Sequence, residues 1–242
     1  MSGSAPISPP GPDDVDIWWI DLNRIEDDAQ SVLADDERVR AARLRRFADR
    51  ARWTSAHVAL RRILTAYLGL APAALQLTRG PQGKPALVSS SPLRFNLTHA
   101  GERAALAVAW DREVGIDLEP LDPGLDLSPL LAVACSQTEA ARITALPVDV
   151  RPQAFLTCWT LKEAYLKGIG AGLSRDPRTI EIELLPDGPA NVADLFAATE
   201  APRWSSRLLD AGSGWVAAVA VPGQLGAVAV YHWPPEEAAP AL

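Results

Sequence analysis

Lysine is scarce in this chain: of 23 lysines and arginines, only Lys84, Lys162 and Lys167 are lysine. Cysteine is scarcer still. Cys135 and Cys158 show no C-x-x-C or Cys/His ligand spacing, which argues against a disulfide framework and a structural zinc site. Both read as small buried hydrophobes in a reducing compartment rather than as a redox pair. Long apolar runs are missing too. The longest, 215–233, is interrupted by Pro222-Gly223-Gln224, so two short strands around a turn fit it better than a membrane span. Residues 1–14 lack the basic and apolar regions of a secretory signal, and their Pro, Gly and Ser content predicts a disordered leader. The tail, 234–242, is read the same way, and the expected location is cytoplasmic. There is no basic excess: the net charge of -7 argues against nucleic-acid or anionic-membrane binding by bulk charge.

What is present is an uneven charge map. Nine of the cations fall between Arg38 and Arg62, a block able to meet a small polyanion within an acidic protein. Its length of 242 residues suits one large domain or two modest ones. A strand is expected at Val15–Leu22, then a helix capped by Asp35 or Asp36 and running to about Ala48. A second helix is expected from about Thr54 to Leu68, stopped at Gly69. Strands follow at 75–79, 86–88, 94–98, 104–110 and 114–119, with a turn at 80–85. The connection 120–129 is proline-rich. Ser136-Gln137-Thr138-Glu139 fits a capping box, and a long helix should run from near Pro152 to about Gly168. Strands at 178–185, 204–209, 215–221 and 227–233 close the chain.

Each half thus runs helices first and antiparallel strands after. The fold class expected is α+β, with two pseudo-symmetric halves over 15–112 and 113–233 and a ligand site in the crevice between them. Leu60-Arg61-Arg62 and Leu161-Lys162-Glu163 carry a faint internal echo of that duplication.

Asp117 and Glu119 stand at i and i+2 on the strand 114–119, so both carboxylates share one face. Two hard oxygen donors at this spacing suit Mg²⁺, although a lone D-x-E is more often a solvated strand face. Trp159, Glu163 and Lys167, at i, i+4 and i+8, share a stripe of the long helix. If Glu163 meets Asp117 and Glu119, three carboxylates converge beside an ammonium, as a metal and phosphate site requires. His99 sits just past a strand end, preceded by the Thr98 hydroxyl and followed by small residues that let a ligand approach. Lys84 lies on the tight turn Gly83-Lys84-Pro85, and Arg40, Arg43, Arg46 and Arg50 are spaced roughly as one helix face.

The ordered set F-N-x-[ST]-H at Phe95–His99, V-G-I-D-x-E at Val114–Glu119 and W-T-x-K-E-A-Y-x-K from Trp159 resembles the Sfp-type 4'-phosphopantetheinyl transferases. The resemblance implies a monomer that binds coenzyme A between its halves. It implies Mg²⁺-dependent transfer of the phosphopantetheine arm to a serine of an apo acyl or peptidyl carrier protein, docked through an acidic helix. Adenosine 3',5'-bisphosphate would leave. Carried over by motif, Asp117, Glu119 and Glu163 would be metal ligands, with Glu119, Glu163 and Lys167 in the catalytic set. Arg40, Arg43, Lys84, Thr98, His99, Lys162 and Lys167 would bind the co-substrate. The general base stays open between Glu163, a water and Glu139, whose capping box is a sufficient structural explanation. Thr98 departs from the more common serine, and Arg40 and Arg43 replace lysines of some relatives. A metal-dependent pyrophosphate hydrolase and an inactive coenzyme A-binding regulator remain as alternatives, and the carrier pathway, whether fatty-acid, polyketide or nonribosomal-peptide, is not written in the sequence.

Overall fold

The structure is a computed structural model and describes residues 7–24, 28–88, 90–184, 190–195, 197 and 202–234. In the first half, β1 (Val15–Asp21) leads to helices α1 (Ala29–Val32), α2 (Asp35–Ala42) and α3 (Phe47–Leu68). A small hairpin follows, β2 (Leu77–Arg79) and β3 (Pro85–Leu87), then the pair β4 (Leu93–Ala100) and β5 (Arg103–Trp110). The second half opens with β6 (Gly115–Pro120), followed by α4 (Leu127–Ala134), α5 (Gln137–Thr144) and α6 (Arg151–Gly168). It continues through β7 (Ile180–Leu184), β8 (Ala190–Asp194), β9 (Trp204–Leu209), β10 (Trp215–Pro222) and β11 (Val228–Trp233).

The strand orders carry the internal repeat: β1-β5-β4 in one sheet, β6-β10-β9 in the other. In each half the opening strand pairs antiparallel with the closing one, which pairs antiparallel with the strand before it. The α+β expectation of two related halves holds. One strand crosses the expected boundary, however. β11 runs parallel to β1, in register from Val15↔Val228 to Ile20↔Trp233, so residues 228–233 complete the first sheet rather than the second. The leader is also corrected in part: Ile7 donates its N–H to Ala66 O at 3.3 Å and packs on the core under α3. Residues 1–6 and 235–242 lie outside the described residues.

Strand alternation sorts the side chains into layers. Trp18, Ile20, Leu106 and Val108 pack against Ala56, Leu60, Ile63 and Leu64 of α3. Their alternating neighbours Ile17, Ala105, Ala107 and Ala109 meet Ile116, Leu118, Ala217 and Val219 of the second sheet. On that sheet's far side, Ala218 and Ala220 lie under Leu161, Ala164 and Tyr165 of α6. The order is therefore helix, sheet, sheet, helix. The alanines let the two sheets face each other closely, and each larger buried side chain contributes roughly 1.5–3 kcal/mol.

Helix ends follow their chemistry. Gly69, at φ 64°, closes α3 with its N–H on Thr65 O. Pro152 occupies the first turn of α6. Ser136 and Glu139 form the expected capping box of α5. The first helix pair breaks elsewhere than expected, at Arg43–Arg46, so Arg40, Arg43, Arg46 and Arg50 do not share one helix face. β8 was not foreseen, nor was α4, which Asp126 caps by accepting from Ser128 N at 3.3 Å. Among the described residues no helix is long and apolar enough to cross a membrane.

Candidate active site

Two glycines set the distance between β6 and α6. A Cβ at Gly115 would lie 1.9 Å from Ala164 O and 2.4 Å from Gly168 N; one at Gly168 would lie 2.4 Å from the Trp204 ring. Strand and helix backbones therefore touch at this point, which is possible only without side chains. Gly115, Asp117 and Glu119 alternate with the core residues Ile116 and Leu118, so their shared face is the one turned to α6. Asn96 pins this strand to the first half: its Oδ1 accepts from Ile116 N at 2.9 Å. The asparagine of the F-N-x-[ST]-H motif is thus a clamp between halves, a role its sequence position gave no sign of.

The carboxylates are placed by these contacts. Asp117 is 2 % exposed. Its Oδ1 accepts from Lys167 Nζ at 2.5 Å and from Thr98 Oγ1 at 3.3 Å, and Lys167 also donates to Thr98 Oγ1 at 2.9 Å. Thr98 of β4, Asp117 of β6 and Lys167 of α6 thereby close a triangle across the interface of the halves. Asp117 Oδ2 and Glu163 Oε1 are buried with no hydrogen-bond partner among the described residues. Such orphaned oxygens cost free energy unless something cationic or proton-bearing meets them.

The electrostatics agree. Burial raises the Glu163 pKa; Lys167 opposes the shift, and Asp117 and Glu119 add to it. Burial raises Glu119 as well, reinforced by Asp117 and countered by a hydrogen bond from Trp159 and by Lys167. Trp159, on the same helix stripe as Glu163, thus adjoins a second site carboxylate. The three carboxylates share one field yet do not collapse together. Among the described residues, the one trio of His, Cys, Asp or Glu donors within 4.8 Å of one another is Cys135, Glu139 and Cys158. The residues nevertheless fit a divalent cation by donor type: hard oxygens, two of them buried and unpaired, beside an ammonium.

Two residues expected to bind the co-substrate, Lys162 and Lys84, and Glu139, weighed as a base, make other contacts. Lys162 is fully buried and donates to Ala134 O and Pro177 O, both at 3.0 Å, and to Glu139 Oε2 at 2.5 Å. It is a structural cross-link, not a ligand of a co-substrate. Glu139 is spent by the same logic, accepting from Ser136 N, Ile182 N and Lys162, so it has no free oxygen for a proton-transfer role. Lys84 donates to Gly168 O at 2.7 Å, Val114 O at 3.2 Å and Glu113 Oε2 at 2.6 Å. Its ammonium straps the β6 entrance to the α6 exit.

The remaining cations lie on the first half. Arg40 sits over the Trp53 ring at 6.0 Å, and Trp53 stacks on His57 at 3.6 Å. Burial holds the His57 pKa at about 3, helped by the charges of Arg40, Arg79 and His99; its Nδ1 lies 3.0 Å from Trp53 O. The His99 ring remains open to solvent, while its surroundings and the Lys167 charge lower its pKa. Arg40 and Arg79 are thus the cations of this corner, with the uncharged His57 and His99 imidazoles beside them. His57 and Arg79 were missed because nothing in their local sequence marks them. A cavity of about 470 Å³ in this corner is lined by Asp36, Glu37, His57, Arg61, Thr78 and Arg79 and does not include Asp117, Glu119 or Glu163. Arg43 caps the exposed end of α2 and joins none of these contacts.

Two family profiles cover most of the chain: the 4'-phosphopantetheinyl transferase N-terminal profile at residues 19–111 and the 4'-phosphopantetheinyl transferase superfamily profile at 113–220. The chain is 37% identical to the 4'-phosphopantetheinyl transferase HetI of Nostoc sp. over 217 residues, 87% of this chain and 89% of that one. It is 26% identical to a 4'-phosphopantetheinyl transferase of Bacillus subtilis over 168 residues, 69% of this chain and 73% of that one. A solved holo-[acyl-carrier-protein] synthase of Thermotoga maritima covers 46% of this chain and 63% of its own at 19% identity and a TM-score of 0.36, an overlap too slight to argue from.

Proposed function

The chain belongs to the 4'-phosphopantetheinyl transferase superfamily, and we propose that it transfers the phosphopantetheine arm of coenzyme A to a serine hydroxyl of an apo carrier protein, assisted by Mg²⁺. The observation that carries this reading is the pair of buried, unpartnered carboxylate oxygens, Asp117 Oδ2 and Glu163 Oε1, in the cleft that Lys167 faces. Asp117, Glu119 and Glu163 would hold the cation, which supplies neutralisation of pyrophosphate charge.

The chain's own residues do the rest. Lys167, held by Thr98 and Asp117, offers its remaining donor to the leaving bisphosphate, whose growing charge it stabilises. Glu163, with its pKa raised by burial, is the carboxylate suited to accept the serine proton. The corner of Arg40 and Arg79, with His99 as a hydrogen-bonding neighbour, suits the nucleotide phosphates, and the 470 Å³ cavity beside it suits the nucleoside. Because both halves of one chain supply the site, a monomer suffices. An acidic helix of the carrier would complement the arginines between Arg38 and Arg62.

Intact-protein mass spectrometry of an apo carrier, incubated with this protein, coenzyme A and Mg²⁺, tests the reading. One phosphopantetheine gained, and lost when a chelator is added, supports it. Coenzyme A cleaved without transfer would favour a hydrolase. Coenzyme A bound without turnover across several carriers would favour a regulator.

A further inference from the structure

The two cysteines, unrelated in the sequence, come together in the fold. Cys135 ends α4 and is 5 % exposed; Cys158 lies on α6, four residues before Lys162. Their sulfurs and a Glu139 oxygen all lie within 4.8 Å of one another. The donor types are those of a thiophilic metal site, yet the cation position is already filled. Lys162 Nζ sits 2.5 Å from Glu139 Oε2, while Ser136 N and Ile182 N take the remaining capacity of that carboxylate. A dipositive ion beside a buried ammonium is disfavoured. Two thiols beside the same ammonium are not, because the ammonium stabilises a thiolate.

Each thiol also has its own approach. Cys135 lines a cavity of about 650 Å³ with Ser136, Gln137 and Thr138. Cys158 lines another, about 640 Å³, between α5 and α6. A small peroxide therefore has a route to the pair from either side, and no residue of the transfer site intervenes.

We propose that Cys135 and Cys158 form a reversible oxidation site that a hydroperoxide closes to a disulfide. The Cys135 thiolate attacks the peroxide oxygen, breaking the O–O bond, to give a sulfenic acid and a hydroxide that leaves as water. Cys158 then attacks the sulfenic sulfur; the S–S bond forms, the S–O bond breaks, and the departing hydroxide takes the Cys158 proton. Two thiols and one hydrogen peroxide become one disulfide and two waters. The order of attack follows the electrostatics: the adjacent Cys158 thiol and the Lys162 charge lower the Cys135 pKa, whereas the Cys135 neighbour and burial raise that of Cys158 despite Lys162. Closure would staple the end of α4 to α6, next to Trp159.

Because the chain has two cysteines, the readout is unambiguous. Full-length protein is treated with hydrogen peroxide, quenched with an alkylating reagent under denaturing conditions and weighed intact. The expected result is a mixture of doubly alkylated and unalkylated chains, without the singly alkylated form, converted wholly to the doubly alkylated one by a thiol reductant. Singly alkylated chains carrying added oxygen, disulfide-linked dimers, or two thiols that persist while free glutathione oxidises would each overturn the proposal. The Cys158→Ser variant separates the roles: its Cys135 should accumulate as a sulfenic acid captured by dimedone, whereas Cys135→Ser should give little capture. Equal capture in the two variants would overturn the assigned order.

Discussion

The sharpest test of how this site is built is Gly115→Ala, the addition of one methyl group. That methyl would sit 1.9 Å from Ala164 O, where ordinary contact needs nearly twice the distance, and both Ala164 O and Gly168 N are backbone atoms. No rotamer can relieve the clash, so α6 must move away from β6 by more than an ångström. Overpacking of this kind costs about 1–3 kcal/mol, which a chain of this size can absorb and still fold. The catalytic cost should be larger. Glu163 and Lys167 ride on α6 while Asp117 and Glu119 ride on β6, so the displacement opens the site itself. A misplacement of about 1 Å can lower a rate by roughly 100-fold. Urea unfolding should therefore report a modest loss of stability, and carrier phosphopantetheinylation, followed by mass, should report a rate about 100-fold lower. Wild-type transfer together with wild-type stability would refute the close-contact argument. A rate loss no larger than the unfolded fraction would refute the link from spacing to catalysis.

Other predictions follow from single contacts. Asp117→Ala and Glu163→Ala should abolish chelator-sensitive transfer while urea unfolding stays near wild type, since each removes a site carboxylate rather than core; unaltered transfer by either would sink the assignment. Lys167→Arg should slow transfer about tenfold or more, roughly 1.4 kcal/mol, because a planar fork cannot reproduce the contacts to Thr98 and Asp117; equal rates would remove the case for an ammonium. Lys162→Met should lower unfolding stability by about 3–5 kcal/mol, leaving Glu139 buried without its counter-charge, and Lys162→Met with Glu139→Gln should recover part of it. Asp16 accepts from Tyr67 Oη at 2.6 Å, and burial raises its pKa above 3.8. A raised folded pKa contributes stability below the unfolded pKa and loses it as pH rises through the folded value. Asp16→Asn should therefore gain stability relative to wild type between acid and neutral pH in urea titrations; parallel pH profiles would refute this.

Local chemistry was legible where partners are near in sequence. The i, i+2 carboxylates of β6, the i, i+4, i+8 stripe of α6 and the Ser136–Glu139 capping box each depend on one element's period, and each stands where that period puts it. What was not legible depends on partners far along the chain. β11 reads as an ordinary strand in the sequence, and only its pairing with β1 assigns it to the first sheet. The Asn96–Ile116 clamp spans both halves in the same way. The arginine-rich segment reads as a smooth helical pattern in the sequence, but the chain leaves the helix at Arg43 and re-enters it after an extended Arg46.

The lysines show most clearly what residue type alone can and cannot say. They are scarce, and the structure supports a common rule for where they stand. Lys162 meets three acceptors drawn from Ala134, Glu139 and Pro177; Lys84 meets three drawn from Glu113, Val114 and Gly168. A compact ammonium can aim three donors at acceptors arriving from separate elements, whereas a guanidinium is confined to a plane. Lysine is kept here where several chain segments converge on one point. At Lys167 two such acceptors, Thr98 Oγ1 and Asp117 Oδ1, are in place among the described residues, and the third donor remains for what the cleft receives. Of the three lysines, the one that fits a catalytic role is the one whose set of partners is incomplete.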